Sequence, residues 1–131
     1  MRRALFTTVA VAVLICPAHA SERRYSGNDL LAACRVISTG STPTSENAQL
    51  VGVCLGEIDA LNWTAPGLQN DKLQSCVPDE ITIKQMANAV VEFLDQNSER
   101  RSEPFEGLAL EALGHKWPCS DEGSESGSEK D

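Results

Sequence analysis

Cysteine is the residue type in this chain best placed to do chemistry, and its spacing narrows what that chemistry can be. The five cysteines are Cys16, Cys34, Cys54, Cys76 and Cys119. Zinc sites draw on closely spaced ligand pairs such as C-x-x-C, and haem attachment on C-x-x-C-H. Neither pattern occurs, and the last four cysteines lie twenty or more residues apart. His115 is the one histidine beyond residue 20 and sits beside Lys116 near a helix end, where the helix dipole favours positive charge. A surface or structural role fits it better than that of a general base. Glu57 and Asp59 are two apart on a helical stretch and point to different faces, the wrong arrangement for a carboxylate pair acting on one bond. A G-x-S-x-G nucleophile turn is also missing. These residues point away from an enzyme and imply neither metal nor cofactor.

The two ends set the compartment. Arg2 and Arg3 precede an almost unbroken apolar run from Ala4 to Cys16, then Pro17 and Ala18-His19-Ala20. A basic start, a short apolar run and an A-x-A site form a secretory signal peptide, too short for a membrane span. The expectation is export, with residues 1–20 removed and no membrane association after cleavage. The competing reading, lipidation at Cys16, is disfavoured by Ile15, since a small residue is wanted there. Cleavage removes two of the eleven basic residues and none of the nineteen acidic ones, leaving a net charge of −10. With no basic stripe, nucleic acid is an unsuitable partner. Residues 120–131, "SDEGSESGSEKD", hold five acids, one Lys and no apolar residue. They read as a disordered acidic tail, solubilising or an arm for a basic partner. Residues 21–119 form the one folded domain.

Cysteines are positioned by the elements that carry them, and four helical segments and no convincing strand are legible, so the fold class is all-α. The first starts at Ser26, with Asp29 three residues on as an S-x-x-D capping box, and Leu30, Leu31, Cys34 and Ile37 at helical spacing. The second runs from near Ser45 to Trp63, its stripe being Leu50, Val51, Cys54, Leu55, Ile58 and Leu61. Gly52 and Gly56 each cost about 1 kcal/mol relative to Ala, which close packing against a neighbouring helix would offset. Thr82 and Gln85 form a T-x-x-Q box for the third, with Ile81 and Met86 as a hydrophobic staple. Ser102 is the expected cap of the fourth, with Pro104 in its first turn and Gly114 at its end.

Four cysteines in a short exported domain read as two disulfides, and three pairings are open. If consecutive helices are antiparallel, the end of one lies beside the start of the next. Cys34 is late in the first helix and Cys54 early in the second; Cys76 precedes the third and Cys119 follows the fourth. That geometry favours Cys34–Cys54 and Cys76–Cys119. The result is a small four-helix bundle stapled twice.

Taken in order, "SGNDLLAAC", "CLGEIDAL", "CVPDEITIKQMANAVVEFLDQNSERR" and "LALEALGHKWPC" resemble the Rap/Tai immunity family, small periplasmic proteins associated with type VI secretion. The resemblance covers Ser26 to Cys119. Ile81 stands where Val is commoner, and Asn97-Ser98 where a proline is frequent. It implies an all-α, disulfide-bonded periplasmic protein, often a homodimer, that binds a secreted peptidoglycan amidase and blocks its active site. A periplasmic binding or stress protein on the same scaffold, without an effector partner, is the competing reading.

For a binding protein the surface matters. The segment from Thr64 to Ser75 is long enough to be suspected of function. Trp63 at its base and Asp71 and Lys72 upon it are the candidate partner-binding residues. Against this, Trp63 could be core and the loop a mere connection. An acidic surface would favour a basic partner through steering.

Overall fold

The computed structural model describes residues 24–119, so the expected signal peptide and acidic tail lie outside the described residues. Within them the chain forms α1 (Gly27–Thr39), α2 (Ala48–Thr64), α3 (Ile83–Gln96) and α4 (Phe105–Lys116), with short 3-10 turns at Ala65–Gly67 and Ser98–Arg100. No strand runs through the described residues; a single bridge pairs Ser26 with Pro104. The all-α expectation holds.

Both capping boxes form. Ser26 Oγ accepts from the Asp29 amide at 3.3 Å, and the Ser26 amide donates to the Asp29 carboxylate at 2.8 Å. At α3 the Gln85 amide donates to Thr82 Oγ1 at 3.3 Å, and the Thr82 amide to the Gln85 side-chain carbonyl at 2.9 Å. Each box satisfies two donors that a bare helix start leaves orphaned. α1 ends at Gly40, whose φ of 71° is the left-handed conformation that glycine reaches without strain.

The other two helices start later than the sequence suggests. α2 begins at Ala48 rather than near Ser45, because the Asn47 side chain turns back to accept from the Thr44 amide at 2.8 Å. α4 begins at Phe105 and not at a Ser102 cap. Its first amide is taken by Tyr25, whose carbonyl accepts from Phe105 at 2.8 Å, so a backbone bond to the segment before α1 replaces the side-chain cap. Gly114 does not end α4 either; the helix runs on to Lys116 and stops before Pro118, which cannot continue it.

Packing is organised around α1, which lies against both α3 and α2, while α4 closes on α3. Leu30, Cys34, Ile58, Val90, Leu94, Phe105 and Leu113 are fully buried at the centre. Gly27 lets α1 meet the α3–α4 turn. A Cβ there would stand 2.9 Å from Leu108 Cδ1, 3.0 Å from Leu94 Cδ2 and 3.1 Å from the Arg101 carbonyl, which also accepts from the Asn28 amide at 2.8 Å.

Two disulfides, Cys34–Cys54 and Cys76–Cys119, staple the bundle in the pairing that helix order favours. The first joins α1 to α2 in the core. The second ties the segment before α3 to the residue row after α4, where the Cys76 amide also donates to the Trp117 carbonyl at 2.9 Å. Chain-entropy arithmetic gives about 3 kcal/mol for the shorter loop and about 4 kcal/mol for the longer one.

Candidate functional site

Four elements place the residues that sequence reasoning singled out. All four cysteines of the described residues are paired, and the described residues contain no group of three or more His, Cys, Asp or Glu arranged to hold a metal ion. Glu57 and Asp59 diverge: Glu57 lines a small cavity of about 120 Å³ with Arg24, Tyr25 and Glu106, while Asp59 faces solvent on the other side of α2. His115 is exposed on the last turn of α4. The arrangement is one of surfaces, and two of them stand out.

The first is the outward face of α2. Its buried side consists of Val51, Cys54, Ile58 and Leu61. Leu55 does not join them as the sequence stripe suggests. At 100° per residue it falls roughly 80° from the centre of that arc, and it is 45 % exposed. Trp63 is 79 % exposed, so the reading of it as core is overturned. Gly52, Leu55, Gly56, Asp59, Ala60 and Trp63 share this face at helical spacing, and all six are exposed. A Cβ on Gly52 or Gly56 would meet nothing within 4 Å. The helix–helix packing expected to offset these glycines is therefore not supplied by the described residues. What remains is a smooth strip bearing one indole, one leucine and one carboxylate.

The second surface is a cleft along α3 and α4, reached by the segment after α2. Asp71 and Lys72 line it beside Leu73, Phe93, Glu111 and His115, in an open cavity of about 600 Å³. Phe93 and His115 carry it into a further 300 Å³ with Ala89, Ala112 and Lys116; Ala89, Glu92 and Lys116 continue it into about 400 Å³ with Ile81, Lys84 and Trp117. Asp71 and Lys72 thus come together, but Trp63 lines no part of this cleft and belongs to the α2 face.

Gly114 is what positions the Asp71–Lys72 loop. Its absent side chain admits the Gln74 and Lys72 carbonyls, which a Cβ would approach to 2.9 and 3.0 Å. The loop is held there by its own bonds. Asn70 accepts from the Leu73 and Gln74 amides at 2.9 Å, and the Gln74 side chain donates to the Pro66 carbonyl at 2.9 Å. Ser75 beside it is 1 % exposed, and its hydroxyl has no hydrogen-bond partner among the described residues. The sequence signal for this rigid loop was a glycine inside an otherwise good helix; taking it as a helix end missed it.

Charge is partitioned between the surfaces. Arg100 clamps Glu103 and Glu111 at 2.8 and 2.7 Å, and Asp95 receives Arg35 at 2.6 Å and Arg101 at 2.7 Å. The hydrogen bond and charge of Arg35, with the charge of Arg101, hold the Asp95 carboxyl below the usual carboxylate range. Arg100 does the same for Glu103 and Glu111, with Lys72 adding a smaller pull on Glu111. Lys72, Lys84 and Lys116 join none of these pairs, and they are all the lysines among the described residues; every one lines the cleft.

Compared with known proteins, residues 26–119 match the model of a family described as Rap1a immunity proteins. No curated protein and no solved structure matches the chain.

Proposed function

Because the chain belongs to the Rap1a immunity protein family, we propose that it acts in the periplasm by binding and inhibiting a peptidoglycan amidase effector of type VI secretion, and that the outward face of α2 meets that effector. The observation that carries the surface is Trp63, 79 % exposed on a helix whose neighbouring positions Gly52, Gly56 and Ala60 leave the backbone open to close approach. Tryptophan is among the residues that most often dominate binding energy when a partner desolvates it. Leu55 adds apolar area along the same strip.

Inhibition of this kind needs shape and charge rather than chemistry. A net charge of −10 over the exported chain draws a basic partner and raises its encounter rate at low salt. Asp59 sits between Leu55 and Trp63 on one i, i+4 row, so a lysine or arginine of the effector meets an opposite charge inside an apolar rim. A two-fold pairing of α2 with its own copy, centred on this strip, would instead oppose two Asp59 carboxylates. The exported domain, once docked, denies substrate to the amidase by occupying its surface.

The decisive experiment mixes the exported domain with amidases encoded beside it and follows peptidoglycan cleavage. Cleavage is expected to stop near a one-to-one ratio. Trp63→Ala should weaken binding by about 30-fold or more, the equivalent of ~2 kcal/mol, with thermal stability unchanged. Undiminished cleavage by every co-encoded amidase rejects the function. Full inhibition by the Trp63→Ala protein rejects the surface alone.

A further inference from the structure

We propose that the cleft between α3 and α4 is the docking site of the chain's own acidic segment, residues 120–131. Three observations meet there. First, the cleft gathers Lys72, Lys84 and Lys116, the lysines that form no ion pair among the described residues, with His115 between them. In a chain this acidic, collecting its uncommitted lysines on one surface makes that surface the natural receiver of negative charge. The cleft's own carboxylates cancel it only in part. Glu111 is engaged by Arg100, and the two that remain, Asp71 beside Lys72 and Glu92 with only the neutral Asn88 amide at 2.9 Å, face three lysines.

Second, the segment leaves from the rim of the cleft. Trp117 lines one end of it, and Cys119, two residues on, is fixed by its bond to Cys76. Third, length and charge suit the path. Twelve residues in extended form reach up to about 40 Å, and α3 with its fourteen residues is roughly 21 Å long. Asp121, Glu122, Glu125, Glu129 and Asp131 face a single Lys130, so the segment offers a carboxylate every few residues.

Each exposed pair is weak on its own, but the covalent tether presents the segment at an effective concentration in the millimolar range. The occupied cleft is thereby closed to acidic segments of other molecules, while the α2 face stays open. This inference does not depend on which effector, if any, the protein binds.

The test compares amide spectra of the exported chain with those of a full-length variant whose tail acids are neutralised: Asp121→Asn, Glu122→Gln, Glu125→Gln, Glu129→Gln and Asp131→Asn. At about 20 mM salt the two should differ at Lys72, Lys84, His115 and Lys116 and coincide at Leu55 and Trp63. The difference should collapse near 500 mM salt, where screening lengths fall to a few ångströms. Lys84→Ala with Lys116→Ala should shrink it at low salt. A synthetic peptide of the tail sequence should bind the neutral-tail chain about ten-fold or more tightly than the wild-type chain, because the tethered copy competes. Coincident spectra at low salt overturn the proposal. So does equal peptide binding to both chains, which assigns the cleft to an acidic segment of another molecule.

Discussion

One substitution, glycine to alanine, is expected to change the stability of this protein in opposite directions at two helical positions. In a helix, alanine is favoured over glycine by about 1 kcal/mol. Gly52 is exposed on α2, and a Cβ there meets nothing within 4 Å, so Gly52→Ala should gain most of that amount. At Gly114 the same Cβ stands 2.9 Å from the Gln74 carbonyl and 3.0 Å from that of Lys72. Neither is the end of a flexible side chain. Moving them strains the bonds from Gln74 to Pro66 and from Cys76 to Trp117, and Cys76 is also tied to Cys119. Overpacking of this kind costs about 1–3 kcal/mol, so Gly114→Ala should lose a net ~1 kcal/mol after the helix gain. For a domain of this size that is roughly 4–8 °C in Tm. Urea titration by circular dichroism reads both signs as shifts of midpoint at constant slope. A Gly114→Ala chain as stable as the wild type would refute the close approach of the loop. A Gly52→Ala chain that loses stability would refute the open face.

Two further outcomes follow from the staples and the ion pairs. Cys34 and Cys54 are fully buried, whereas Cys76 is exposed and Cys119 half-buried, so mild reductant with alkylation should label Cys76 and Cys119 first. Simultaneous labelling of all four, read by mass spectrometry, would contradict that order. Asp95, Glu103 and Glu111 titrate below their ordinary values in the folded chain, so their pairs stabilise it fully above about pH 4.5 and are lost as pH falls through the lowered values. The urea midpoint should therefore drop on acidification below that point, and the drop should shrink in Arg100→Gln; an unchanged midpoint down to pH 3 would contradict it.

What could be read from the residues alone was what neighbours in sequence decide. The Ser26–Asp29 and Thr82–Gln85 boxes are three-residue devices, and both form as their spacing predicts. The disulfide pairing followed from helix order, because antiparallel neighbours leave few ways to bring four cysteines together. What failed were features set by distant chain. The start of α4 is fixed by Tyr25, eighty residues upstream, and no local pattern signals it. Leu55 was one residue of a broad apolar stripe, and only the direction from which α1 and α3 approach decides that it stays outside. The cleft's lysines are spread from residue 72 to residue 116 and converge only when α3 and α4 pack.

The glycines explain why the family signature describes the frame better than the partner. Gly27 and Gly114 are required by what touches them inside the chain, Leu94, Leu108 and the Arg101 carbonyl at one, the 72–74 backbone at the other. Like the cysteines and the two capping boxes, they belong to the motifs that carry the resemblance and act on the packing or the helix starts of the bundle. Gly56 belongs to the same set of motifs, yet nothing among the described residues approaches it, and it still costs about 1 kcal/mol in mid-helix. A cost with no internal compensation, next to an exposed Trp63, is what a surface held ready for another molecule would show. The motifs thus hold residues that fix the frame, such as Gly27 and Gly114, beside Gly56, which stands outside it. Under the proposed function, discrimination between effectors would reside in what stands around Gly56 on the outside: Leu55, Asp59 and Trp63.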